Sequence, residues 1–508
     1  MSDQARRSRG VLPALVLSVL AFSLVQTSVV PILPTLQKDL NVAGSGITWL
    51  MTANLLSAAV LTPLLARIGD LRGRKPMLVV AIAGVLVGGV LGGIGGSFGM
   101  LLIARIVAGT GGAILPLAVA VVRDELPREK VTGGVAMVSA ALGVGSGLGL
   151  VATGLVVEHF SYQAVFWMGA ILAAVAFALV LVKVPHDPIK AEGKADPLGA
   201  LLLAGWLSAL LIAVSQGNDW GWGSTRTMGL FVTAAVVLVL WVVVERRVAS
   251  PLVDISMLAK PAIAVTNTAG VLVGFAMYGS FLLMSDFTQT PKAVGYGFGA
   301  TVLASGWMLF PSAVGSFAAA PVGAALIKRG GPRLPLVLGG AFTAVGLGLL
   351  VFAHSSSWHV VVASGVMGVG VGMAYAAMPA YINASVPVQQ SGIANGMNAV
   401  LRTVGGAVGT AVIGAVLTGN MKQVAPGVKL PTIDAYTHAF LIASALAVVA
   451  AVVPFLVKTP RMSAMTTPDT IDAEAGVDGA SGANGAAGTN GGGGADGVEP
   501  KPMAGVNA

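Results

Sequence analysis

One repeated length limits what this chain can fold into. Stretches of about 20 apolar residues, each long enough to cross a hydrocarbon core of about 30 Å as a helix, recur from Val11 to Val457. We place them at 11–34, 47–68, 77–97, 99–122, 132–156, 163–185, 197–215, 224–244, 262–288, 298–327, 334–354, 358–382, 393–418 and 437–457. Backbone in lipid must satisfy its own hydrogen bonds, so these runs predict an all-α integral membrane protein with fourteen transmembrane helices. Composition supports this: 10% of residues are charged, against about 25% in ordinary soluble chains, and the mean hydropathy is +0.86. The 69 glycines fall largely inside the apolar runs, where small residues let helices approach closely in a bilayer. The first run, behind Arg6, Arg7 and Arg9, is too long for a signal peptide and lacks a convincing cleavage site, so it reads as a first span.

An even number of spans puts both termini on one side. With the N-terminus inside, 22 of the 29 Lys and Arg fall on inner segments or the span ends bordering them. Five are outer (Lys38, Arg226, Lys292, Lys422, Lys429), and Arg105 and Arg402 lie within spans. This bias predicts cytoplasmic termini in a cell inner membrane. It also places Gly73 inside and Gln216 in an outer loop. Beyond about Thr459 the chain is Gly/Ala-rich with scattered Asp, a composition expected to stay disordered.

Several classes of function are excluded or disfavoured. No G-x-x-x-x-G-K-[ST] phosphate loop is present, which argues against an ATP-driven pump. With no cysteine, and with His159, His186, His354, His359 and His438 dispersed, neither a metal site nor an enzyme centre is expected, and no cofactor. The +8 net charge is spread over short loops, so nucleic acid is not an expected partner. A channel would not require the internal repeat that is present. Pro63-Leu-Leu-Ala-Arg-Ile-Gly-Asp-Leu-Arg-Gly73-Arg-Lys-Pro-Met-Leu78 aligns without gaps on Pro321-Val-Gly-Ala-Ala-Leu-Ile-Lys-Arg-Gly-Gly331-Pro-Arg-Leu-Pro-Leu336. Three spans after each comes a Gly-rich helix, with Gly143, Gly145, Gly147 and Gly149 in one and Gly405, Gly406 and Gly409 in the other. The expected organisation is an N-terminal arm (1–10), a six-helix half (11–185), two inserted helices with linkers (186–261), a second six-helix half (262–457) and a tail (458–508). Repeated halves with a substrate site near the midplane are a secondary-transporter architecture.

The motifs resemble a known family. Ala66-Arg-Ile-Gly-Asp70-Leu-Arg72-Gly73-Arg74-Lys75 resembles the major facilitator signature G-x-L-x-D-R-x-G-R-K, with Ala66 and Leu71 as departures. Gly73 permits a tight turn, and a carboxylate at Asp70 can pair with a cation or helix N-terminus of the other half. Leu101-Leu-Ile-Ala-Arg105-Ile-Val-Ala-Gly109 is similar to the second motif, l-x-x-x-R-x-x-q-G, with Ala108 for Gln. Gly145-Ser-Gly147-Leu-Gly149-Leu150-Val-Ala-Thr-Gly154 resembles the antiporter helix, with Leu150 where proline is usual. In the 14-span EmrB/QacA-like drug:proton antiporters the first helix often reads L-D-x-T-x-V-N-x-A-L-P. Here Val25 and Val30 occupy the Asp and Asn positions, and Gln26 is the nearest polar residue. The resemblance, over about 11–457, implies a major facilitator fold of two six-helix halves plus two inserted helices. It also implies export of small lipophilic drugs or metabolites by proton antiport, in a monomer bound to the bilayer. The alternatives are a dedicated exporter of one self-made metabolite or antibiotic, and an uptake permease.

The candidate site residues follow. Asp70, Gly73, Arg74 and Lys75 are expected to gate, and Gly145, Gly147, Gly149 and Gly154 to pack helices. Gln26, Arg105, Asp286, Asn395, Asn398 and Arg402 are expected in substrate binding or coupling. Asn395, Asn398 and Arg402 share a helix face, with Arg402 about nine residues, roughly 14 Å, into its span. A charge at that depth normally faces a cavity or a partner. No acid lies mid-span, so neutral, monocationic or anionic lipophiles are expected to be preferred over divalent cations. Asp286, near a span end, is the expected proton-responsive acid, with Asp70 and Asp124 next.

Overall fold

The computed structural model describes residues 10–32, 36, 39–42, 49–185, 196–387, 390–425 and 428–456. The N-terminal arm up to Arg9, Lys38, His186 and the expected tail lie outside the described residues. Fourteen helices are long and apolar enough to span a bilayer: α1 Val11–Ile32, α2 Trp49–Arg72, α3 Arg74–Ile94, α4 Phe98–Glu125, α5 Glu129–His159, α6 Tyr162–Lys183, α7 Pro197–Trp220, α8 Thr225–Glu245, α9 Pro261–Gln289, α10 Val302–Gly330, α11 Arg333–Phe352, α12 Ser357–Asn383, α13 Ser391–Gly419 and α14 Ile433–Leu456. Many helix starts carry their own cap. Ser97, Asp196, Ser224, Thr301, Ser356 and Thr432 each accept a backbone N–H from the first turn they precede, which satisfies a donor that a helix leaves open.

The structure departs from the hydropathy reading in four places. The Asp70–Lys75 segment is not a loop: α2 runs to Arg72, α3 begins at Arg74, and only Gly73, at φ 110°, breaks the chain. Asp70, Arg74 and Lys75 are buried against other helices while Arg72 is exposed, so the helix does not end where hydropathy falls. Likewise α7 continues past Gln216, which is buried within it rather than in an outer loop; Asn218 Nδ2, two residues on, donates to the Ala411 carbonyl at 3.2 Å. In α4 the helix tightens to 3-10 geometry at Gly109–Ala113, where a Cβ on Gly109 would stand 2.5 Å from Ser57 Cβ. Between α13 and α14, β1 (Met421–Ala425) and β2 (Val428–Pro431) pair antiparallel, with an irregularity between Gln423 and Ala425.

The two halves pack alike. In the first, α5 lies against α1, and in the second α13 lies against α9. Each of these helices also crosses to the other half, α5 onto α10 and α13 onto α2. Glycine makes both approaches possible. A Cβ on Gly145 would stand 2.7 Å from the Leu20 carbonyl of α1, and one on Gly147 would meet Ala313 Cβ of α10 at 2.5 Å. Gly149 faces Leu24 and Thr27 of α1, and Gly154 faces Leu303 of α10. The stripe therefore serves two neighbours in alternation. On α13, Gly405 and Gly409 meet the backbone of Val271 and Phe275 in α9, while Gly396 meets Pro63 and Ala66 of α2.

The inserted α7 packs against α2 and α13. An apolar cluster there joins Leu203, Leu207 and Leu211 of α7 to Ala59 of α2 and Met397 and Val404 of α13. Helix α8 leans on α7, with Trp206 and Trp241 6.1 Å apart, and its other side exposes Val232, Val236 and Val239. Such a face is compatible only with lipid or a partner.

Candidate functional site

Among the polar residues buried in this apolar bundle, two groups join its halves. The first lies at the end where α2 turns into α3. Helix α13 begins at Ser391, and its N-cap residue, Gln390, makes no side-chain cap. The donor left open is taken from outside: Asp70 Oδ2, on α2 of the other half, accepts the Ile393 N–H at 3.0 Å. A carboxylate there also faces the positive end of the helix dipole. Gly392 leaves the room for it, since a Cβ there would fall 2.5 Å from Asp70 Oδ1.

Arg74 fixes that carboxylate. Its Nε and Nη2 each reach Asp70 Oδ1 at 3.3 Å, Nη1 reaches the Ala120 carbonyl at 3.3 Å and pairs with Asp124, and Nη2 lies 3.4 Å from Ser391 Oγ. Lys75 Nζ donates to the Leu181 carbonyl at 3.0 Å, in the last turn of α6. Arg123 Nη2 crosses to the second half, donating to Asn383 O at 3.1 Å and Val386 O at 3.4 Å where α12 ends. Cations thus meet helix C-termini and the anion meets a helix N-terminus, each in the sense the dipole favours. Asn395 ties the same junction from within, donating to Asn383 Oδ1 at 2.9 Å and Ser391 O at 2.8 Å. The motif spacing identifies Asp70, Gly73, Arg74 and Lys75, but not the part played by Arg123 or Asp124.

The second group is central. Arg402 lies eleven residues from the start of α13, about 16 Å along it, and is 8% exposed. Its guanidinium stands 4.7 Å above the Tyr375 ring of α12. Tyr375 donates its hydroxyl to Met277 Sδ of α9 at 2.9 Å. Tyr278, the next residue on α9, is close to Arg402 and interacts with Gln26 of α1. Side chains from both halves therefore converge here. Asn398 is one turn away and braces α13 to α9, donating to Thr266 O at 3.1 Å and Asn267 Oδ1 at 3.2 Å. The two tyrosines carry no periodic signal in sequence; their scarcity, six in the chain, is the one available pointer.

The remaining expected residues lie elsewhere. Arg105 is fully buried, and its guanidinium donates to the carbonyls of Leu50 (3.1 Å), Val25 (3.0 Å) and Gln26 (3.4 Å). It clamps α4 to α1 and α2, and its small adjoining cavity, about 10 Å³, has room for no more than a water. Asp286 is exposed near the end of α9, accepting the Tyr436 hydroxyl at 2.6 Å. A further acidic pair closes the inserted helices: Asp196 caps α7, Glu245 ends α8 and accepts the Val253 N–H at 3.2 Å, and both carboxylates face Gly199. Among the described residues, no three His, Asp or Glu are grouped to hold a metal.

Comparison with known proteins agrees with this architecture. The sequence model of the Major Facilitator Superfamily matches residues 15–290 and 266–480. The chain is 29% identical over 388 residues to the multidrug resistance protein Stp of Mycobacterium tuberculosis, covering 76% of this chain and 71% of that one. It is 27% identical over 422 residues to the tetracenomycin C resistance and export protein of Streptomyces glaucescens, covering 81% and 76%. Among solved structures, the human organic anion transporter MFSD10 (TETRAN) superposes with a TM-score of 0.62, over 89% of this chain and 100% of that one, at 17% identity. That likeness concerns the fold alone.

Proposed function

This chain belongs to the Major Facilitator Superfamily, and we propose that it is a secondary active exporter of small lipophilic molecules, driven by proton antiport and working by alternating access. The observation that carries the reading is the contact between halves around Asp70. It is a set of polar bonds on helix ends, strong enough to hold one face closed and able to exchange for water when that face opens. In the proposed cycle the halves 11–185 and 262–457 rock about the central residues, and α7 and α8 travel at the seam of α2 and α13. Relatives named for multidrug resistance and antibiotic export support the outward direction. The relative named for a single antibiotic favours a second reading, a dedicated exporter of one metabolite.

The proposed orientation puts the Asp70 face and both termini in the cytoplasm of the inner membrane, with the monomer as the working unit. Protons are the proposed coupling ion. Asp286 is the first carboxylate to test, because its partner is a phenol and not a cation, and Asp70 and Asp124 come next. The experiment is uptake of a panel of fluorescent dyes and labelled metabolites into inverted vesicles, with and without a pH gradient. Accumulation abolished by nigericin supports the reading. Accumulation of many dyes favours the broad exporter and of one metabolite the dedicated one, while no gradient-driven accumulation rejects both.

A further inference from the structure

The chain buries two arginines deep in its spans, and they are treated differently. Arg105 has its guanidinium taken up by three backbone carbonyls. Arg402 has no hydrogen bond or ion pair to any described residue. Its guanidinium lies over the Tyr375 ring, which offers a cation its negative face. Guanidinium does not give up its proton, so the charge stays. A buried, unpaired cation is costly and persists where something else compensates it.

Its surroundings suggest what. Around the guanidinium stand Tyr278, Tyr375 and, through Tyr278, Gln26, neutral hydrogen-bonding groups on α9, α12 and α1. Among the described residues no carboxylate forms an ion pair with the arginine. The planar fork of a guanidinium matches a carboxylate with two parallel bonds, and a tyrosine or glutamine beside it can donate a third. Glycines bring these groups together: Gly274 lets α9 approach the Arg402 backbone, and Gly406 gives the Tyr278 ring its space.

We propose that Arg402, with Tyr278, Tyr375 and Gln26, forms a binding site for the carboxylate of an amphiphilic organic anion, and that such anions are the preferred cargo. The inference rests on the exporter reading, and binding is therefore measured apart from transport. The protein is placed in phosphatidylcholine nanodiscs and titrated with 1-pyrenebutanoate, its neutral amide and a pyrenebutyl trimethylammonium salt, following pyrene fluorescence. A charge-assisted, bidentate contact predicts that the acid binds about tenfold to a hundredfold more tightly than the amide, and the ammonium more weakly than either. Arg402→Gln removes that preference, and Arg402→Lys, which keeps the charge but not the fork, restores part of it. Equal binding of acid and amide, a preference surviving Arg402→Gln, or no binding of any probe overturns the proposal. Competition by added phosphatidylglycerol would assign the site to a lipid headgroup and overturn it too. Acid-selective binding without accumulation in inverted vesicles would leave the site standing and reject the exporter reading.

Discussion

Replacing Asp70 with Asn tests the contact between halves at one atom pair. The carboxylate is 2% exposed, accepts the Ile393 N–H, and pairs with Arg74. Asn keeps an acceptor but loses the charge, and its amide must point at Arg74 or at the helix N-terminus, both donors. A hydrogen bond to a charged group contributes about 1.5–3 kcal/mol against about 0.5–1.5 for a neutral one. The helix terminus adds roughly 0.3–1 kcal/mol. The closed face is thus weakened by about 2 kcal/mol, a shift of roughly thirtyfold between access states. Asp70→Asn should lower transport at least about tenfold in a protein that still inserts. Spin labels on cysteines replacing exposed Pro76 and Ala384, in a chain free of other cysteines, should show longer separations by double electron–electron resonance. Gly392→Ala is the control on mechanism: its Cβ would push Asp70 off the helix without altering any charge, and it should give the same phenotype. Wild-type distances and transport in both variants would refute the reasoning.

Three further outcomes follow from the geometry. Cysteines at exposed Gly223 and Gly330, neither with a neighbour in the way, should label from opposite sides of intact cells with an impermeant maleimide, Gly223 from outside; labelling of the Gly330 position from outside reverses the orientation. Asp286→Asn should leave transport insensitive to a collapsed pH gradient; unchanged proton dependence moves the assignment to Asp70 or Asp124. Lys328→Ala should reduce transport by no more than about fivefold, because its bond to the Glu129 carbonyl at 2.9 Å is exposed and such contacts contribute less than about 1 kcal/mol; a loss as deep as that of Asp70→Asn would show the two seams to be equal.

What could be read from sequence was what lipid enforces locally. Span number and approximate position follow from the length a helix needs, and Asp70 and Gly73 from a spacing tied to a turn. Gln216 lies in a helix and not in the expected outer loop, because a polar residue near a helix end looks like a loop until Asn218, two residues on, is seen to donate to Ala411 of α13. Arg105 and Arg402 look alike in sequence, each a lone cation in an apolar run. Only the carbonyls of Leu50, Val25 and Gln26, distant in the chain, separate the one that is satisfied from the one that is not. Asp196 and Glu245 lie at span ends with nothing in sequence to pair them, because their shared approach to Gly199 is a tertiary fact.

The internal repeat carries an asymmetry with a mechanical consequence. The gapless alignment puts Lys328 of α10 where α2 has Asp70. Each reaches the first turn of the Gly-rich helix in the opposite half, Asp70 the N–H of Ile393 and Lys328 the carbonyl of Glu129. A helix N-terminus attracts an anion and repels a cation. The first contact is therefore reinforced by the helix it grips, buried, and locked by Arg74, while the second works against the helix field and is exposed. What holds α5 to α10 is instead close apolar packing, Gly147 on Ala313 and Gly154 on Leu303. A seam held by charge can exchange its bonds for water, and one held by fitted surfaces has nothing to exchange. In the proposed cycle of alternating access the α2–α13 seam is thus the one suited to part, and Arg402, on α13 two to three turns from Ile393, lies where its parting would be felt.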